Sequence, residues 1–265
     1  MTKRLGMWSC LALLIGACGS QEAAPAEETA MPAESTQGAE AAPAAEPAPA
    51  AEPAPAAEPA AEVAQPAMPE PTGGAVMIAN VKDFDAWKAK FDTGAEIRKG
   101  AGFLGHGIGR VIDNPRGVMV WLPTTDLEKA KAFAESKELK ARMKESGVMG
   151  LPRMSFLSIV ENQPSKDPAA KYGAIISHKV KDYDAWKPVF DEHGAKRTEA
   201  SVVGHSVAQD PANAKQVTVW LEATDLEKLK AFFAGKDLKA AMKTAGVRGA
   251  PTITIVELGE MKSYQ

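Results

Sequence analysis

Cysteine is nearly absent from this chain: among 265 residues only Cys10 and Cys18 occur, both close to the start. A disulfide framework and a Cys-x-x-Cys site are therefore excluded. The apolar run Leu5 to Ile15 falls well short of the roughly 20 residues a membrane-spanning helix needs, which argues against a polytopic membrane protein. Walker and dinucleotide glycine loops, a Gly-x-Ser-x-Gly elbow and a His-Glu-x-x-His helix are also missing. Basic residues are missing from one long stretch: none occurs between Arg4 and Lys82, whereas ten Glu lie between Glu22 and Glu70. The net charge of −3 thus hides an acidic front and a part from Gly73 onward with 29 basic and 24 acidic residues. That balance is too slight for a strongly basic nucleic-acid binder, and such unevenness excludes a single globular unit.

What is present at the start is an address. Lys3 and Arg4 precede the apolar run, which ends in Leu14-Ile15-Gly16-Ala17-Cys18. This resembles a bacterial lipobox, in which the Cys becomes the lipidated N-terminus; the plainer alternative is a cleaved signal with a chance Cys. On the lipobox reading residues 1–18 are a signal peptide, Cys18 is the lipid attachment site, and the membrane is a partner through that lipid. Gly19 after Cys18, by resemblance to bacterial lipoproteins, favours the outer membrane, with the chain facing the periplasm.

Residues 19–73 are mostly Ala, Pro and Glu, and contain eleven of the 19 prolines. Proline blocks helix continuation and like charges repel, so a disordered, extended tether of at most roughly 170 Å is expected. Without basic or aromatic anchors among the prolines, a spacer is preferred to a partner-binding tract.

The remainder repeats itself. A shift of 99 residues places Val81-Lys82-Asp83-Phe84-Asp85-Ala86-Trp87-Lys88 on Val180-Lys181-Asp182-Tyr183-Asp184-Ala185-Trp186-Lys187. Without a gap, Val120-Trp121-Leu122 then meets Val219-Trp220-Leu221, and Thr125-Asp126-Leu127-Glu128-Lys129 meets Thr224-Asp225-Leu226-Glu227-Lys228. Roughly two in five positions are identical. The repeats span residues 74–162 and 172–265, joined by a linker at 163–171.

Each repeat reads as β-α-β-β-α-β, the ferredoxin-like order, giving an α+β fold. In the second, strands are expected at 173–180, 202–209, 217–221 and 252–258. One helix follows Asp182 as N-cap. The next opens on a capping box, with Thr224 as cap and Glu227 reaching back. The first repeat has strands at 73–80, 103–112, 118–122 and 153–160, with helices at 83–100 and 126–146.

The motifs D-[FY]-D-A-W-K, Val-x-Val-Trp, T-D-L-E-K and G-V-x-G-x-P in such a unit resemble the small dimeric α/β-barrel proteins related to antibiotic biosynthesis monooxygenases. That resemblance implies two units packed as one barrel, here within a single chain. It also implies either a bound polycyclic substrate or, in haem-degrading relatives, a His acting with Asn and Trp; this sequence matches neither constellation position by position.

His106 and His205 occupy equivalent second-strand positions. Each could line a pocket as a base or haem ligand; the plainer reading is a structural histidine bonded to backbone or a carboxylate. His178 and His193 belong to the second repeat only, where Ala79 and Gly94 stand in the first. His-dependent chemistry would therefore reside there, with His205 or His178 as candidate catalytic base. Trp121 and Trp220 on the third strands face either the helices or the barrel interior, and Arg98 and Arg197 recur late in the first helices. The ligand-binding candidates are His106, His205, Trp121, Trp220 and Arg197. No metal, cofactor or nucleic acid is expected. The leading expectation is a module binding a small apolar or aromatic molecule, or an envelope protein, without catalysis. The alternative is a cofactor-independent monooxygenase or isomerase.

Overall fold

The computed structural model describes residues 69–264, all within the second of two units, Met1–Ala61 and Glu62–Gln265. The expected signal, the lipobox with Cys18 and nearly all of the tether lie outside the described residues. From the first repeat come strands β1 (Gly73–Val81), β2 (Gly105–Val111), β3 (Gly117–Thr124) and β4 (Val148–Gln163). The second supplies β5 (Tyr172–Val180), β6 (Val202–Asp210), β7 (Asn213–Ala223) and β8 (Val247–Ser263). All pairings are antiparallel, and the strands close in the order β1-β3-β2-β8-β5-β7-β6-β4. Closure leaves no sheet edge, which a four-stranded half alone would expose.

The two halves join because β4 and β8 are far longer than expected. The front of β4 pairs with β1, and its end, Ser158 to Gln163, crosses to β6. In the same way the front of β8 pairs with β5, and Val256 to Ser263 crosses to β2. The crossing segments are polar, with Glu161-Asn162-Gln163 and Gly259-Glu260-Met261-Lys262, so no apolar alternation marks them as strand. Long-range pairing decided their conformation.

Eight short helices cover the outside: α1 (Phe84–Asp92), α2 (Ala95–Gly100), α3 (Leu127–Glu135), α4 (Lys137–Glu145), α5 (Tyr183–Glu192), α6 (Gly194–Glu199), α7 (Leu226–Ala234) and α8 (Lys236–Thr244). Where the sequence suggests single helices at 83–100 and 126–146, the chain breaks at Thr93-Gly94 and at Ser136. Ser136 adopts extended backbone and its hydroxyl caps α4 at the Leu139 amide. Asp182 caps as expected, accepting from Ala185 at 2.9 Å, and Asp83 does the same from Ala86 at 2.8 Å. The Thr224 capping box does not form. Asp225 is the cap, accepting from the Lys228 amide at 3.0 Å, and the Thr224 amide is already bonded to the Ser201 carbonyl. A carboxylate beside the positive end of a helix is the stronger acceptor.

Two equivalent cores lie between helices and sheet, one around Trp87, Val120 and Phe103, the other around Trp186, Val219 and Leu229. A third fills part of the barrel, with Val76, Met119, Leu157, Ile175, Ala208 and Val256. Among the described residues no helix is long and apolar enough to cross a membrane.

Candidate ligand site

Side chains alternate across a strand, so each strand sends one set outward to the helices and one set inward. On β2 the inward set is Gly107 and Gly109, and on β7 it is Thr218, Trp220 and Glu222. The glycines make room. A Cβ on Gly107 would meet Met261 Sδ at 2.5 Å, and one on Gly109 would meet Val256 at 2.9 Å. What remains inside the barrel is a cavity of about 300 Å³, at the lower end of the roughly 300–1,000 Å³ typical of small-molecule sites.

Trp121 and Trp220 both face this cavity. Each indole lies against a glycine on the neighbouring strand: Gly74 under Trp121 and Gly173 under Trp220, where an added Cβ would sit 2.3 and 2.1 Å from a ring carbon. Among the described residues neither indole stacks on another aromatic ring. The rest of the lining is largely apolar, with a few polar groups. Ser206 donates to Asn162 at 2.6 Å, and the buried Thr218 shares a hydrogen bond with Ser177 at 3.2 Å. Glu222 accepts from Trp220 Nε1 at 3.3 Å and from the Ser165 amide at 2.6 Å. Exposed Asn162, Pro164 and Met261 mark the mouth.

The histidines lie elsewhere. His106 and His205 point from β2 and β6 toward the helices, edge-on to Phe91 and Phe190. Each belongs to a charged quartet in which the glutamate comes from the opposite repeat. Glu161, on the crossing end of β4, accepts from His205 at 2.9 Å and pairs with Lys187 at 2.8 Å, and Lys187 also pairs with Asp191. Glu260, on the crossing end of β8, lies 3.5 Å from His106 and 2.5 Å from Lys88, which pairs with Asp92. Burial would raise the Glu161 carboxyl, but Lys187 and His205 outweigh it and hold it below the usual range. Asp92, His106 and Glu260 each offer a ligand atom within 4.8 Å of the others, yet the cation among them is the Lys88 ammonium. These quartets fasten the two halves together.

Arg98 and Arg197 are buried, each guanidinium over a phenylalanine ring at 3.6 and 3.8 Å and bonded to that residue's carbonyl. Arg98 also donates to the Tyr264 hydroxyl, which in turn meets His106 Nδ1 at 2.9 Å. Arg197 therefore lies outside the cavity, as do His106 and His205. Of the five residues expected at a ligand site, only Trp121 and Trp220 meet there. His178 lies on the helix side of β5 beside Trp186, with both ring nitrogens unpartnered, and burial lowers its pKa to about 4. It lines a space of about 60 Å³ together with His193 and Arg197, while the first repeat has a comparable space of about 80 Å³.

Glu222 is the site residue that the sequence reading passed over. Its signal was the alternation Thr218-Trp220-Glu222, which puts a carboxylate on the same face as the tryptophan, where the first repeat has Pro123. Among the described residues the cavity lining has no His, Cys or Tyr, so the usual proximal ligands of haem are not found there.

No protein-family model matches the chain, and no curated protein does. Solved structures do resemble it. A Fusobacterium nucleatum protein provisionally described as a monooxygenase matches over 72% of this chain and 94% of its own, at 11% identity and TM-score 0.50. An anthrone oxidase-like protein matches over 73% and 94%, at 13% identity and TM-score 0.51. The fold is the ferredoxin-like dimeric α/β barrel, with both halves in one chain. It is compatible with ligand binding.

Proposed function

We propose that this chain is a binding protein without catalytic activity, whose barrel cavity takes a small apolar or aromatic molecule. The observation that carries this reading is the cavity of about 300 Å³ with Trp121 and Trp220 on its wall. On the same proposal residues 1–18 direct export, Cys18 carries lipid, and the Ala/Pro/Glu tract holds the barrel away from the outer membrane on its periplasmic side. Docking of an envelope protein in place of a small molecule would leave the cavity empty.

The alternative enzyme reading draws support from His178, a buried neutral imidazole with no partner. Size weighs against it. About 60 Å³ beside His178 holds a few waters, since one water occupies roughly 30 Å³ of liquid, but not a polycyclic ring. His205 already bonds to Glu161, and both histidines are on the far side of the sheet from the cavity.

Native mass spectrometry of the full-length chain purified from bacterial membranes tests the proposal. An added mass that disappears on denaturation, and that Ala208→Phe prevents by filling the cavity, is the expected result. Oxygen-dependent turnover of an aromatic substrate that is abolished by His178→Ala would overturn it.

A further inference from the structure

Among the described residues the cavity lining carries one charged group, Glu222, and no cation is paired with it. Glu222 touches only neutral donors, the Trp220 indole N–H and the Ser165 amide. Among the described residues no Lys, Arg or His comes within ion-pair distance of it. Those two donors fix the carboxylate in place, but each oxygen keeps a free acceptor direction. The quartet glutamates contrast with this, since Glu161 and Glu260 each hold a lysine. Trp220 adjoins Glu222, Trp121 lines the same cavity from β3, and neither indole has a ring partner among the described residues. Indole is the side chain best suited to attract a cation through its π-face, and an apolar wall strengthens that attraction by excluding water. An anionic ligand would be repelled here, and a purely apolar one would leave the carboxylate partly desolvated without gain.

We propose that the barrel cavity selects organic cations: a small molecule with an apolar or aromatic body and an ammonium group, the ammonium meeting Glu222 and the body lying between Trp121 and Trp220. This rests on the ligand-binding reading above and narrows it to one chemical class. The arrangement belongs to the second repeat alone, because Pro123 replaces Glu222 in the first, so one cation per chain is expected.

Three probes of similar shape decide the matter by tryptophan fluorescence of the full-length chain: phenyltrimethylammonium, neutral tert-butylbenzene and anionic benzenesulfonate. The cation should bind about tenfold more tightly than the neutral probe, and the anion least. Glu222→Gln removes the charge and keeps one carbonyl acceptor, for either the Trp220 N–H or the Ser165 amide; it should bring the cation and the neutral probe within about twofold. Equal binding of the first two probes by the unaltered chain, or a cation preference that survives Glu222→Gln, overturns the selectivity while leaving the cavity as a binding site. Failure of all three to bind removes both. If Glu222→Gln loses its cooperative melting transition, the ranking of probes on the unaltered chain still decides.

Discussion

The two repeats agree where they build the barrel and differ where they carry chemistry. Both retain Trp87/Trp186 against the sheet, Gly74/Gly173 under an indole, and a Lys–Glu–His–Asp quartet closed by the opposite repeat. The same positions satisfy the same packing and pairing in each half, so exchange at them would loosen the packing or leave a partly buried charge without its partner. Among the positions that differ, three bear on the interior and its flanks: Pro123 against Glu222 at the cavity, Ala79 against His178 under the helices, and Ser165 against Tyr264, where Tyr264 bonds the buried Arg98 and Ser165 instead bonds Glu222. A two-fold shell thus encloses a one-sided interior.

Three sets of substitutions sharpen this comparison. Trp87→Ala and Trp186→Ala should each cost about 3–5 kcal/mol by denaturant unfolding, and by similar amounts, since each ring is almost fully buried in an equivalent core. A large effect in one repeat only would break the symmetry of the shell. His178, which the first repeat lacks, should add a pH dependence to the stability of the barrel. Its pKa is held near 4 by burial, below the ordinary 6.5, so the unfolded chain binds the proton more readily. Its contribution is complete above about pH 6.5 and is lost as pH falls toward 4, up to about 3 kcal/mol. Urea unfolding across that range should show His178→Leu with a shallower decline than the unaltered chain. Tyr264→Phe should cost about 1–3 kcal/mol, because it strips the buried Arg98 and His106 of a shared partner that the second repeat never had. Restoration of most of that loss by Arg98→Met would locate the cost in the stranded guanidinium.

Much of this was legible in the sequence, and what was not has physical causes. Period-two strands and the Asp182 cap marked the elements through local chemistry, and the 99-residue repeat carried them to the other half. The crossing ends of β4 and β8 were invisible, since polar residues at a barrel rim are strand only by virtue of a partner from the other repeat. Which face of β2 looks inward was equally hidden. His106 alternates with Gly107, and only the closure of the barrel puts the glycines inside and the histidine under the helices. The tryptophans were placed on the correct strands, while Glu222 was missed because a glutamate at a strand end reads as solvated.

Fluorine NMR of the chain labelled with 5-fluorotryptophan, titrated with phenyltrimethylammonium, tests the central claim most directly. If the barrel interior is the site, the Trp121 and Trp220 resonances shift and those of Trp87 and Trp186, in the helix-side cores, stay in place. Shifts confined to Trp87 or Trp186 would move the site to the histidine side of the sheet and contradict the account.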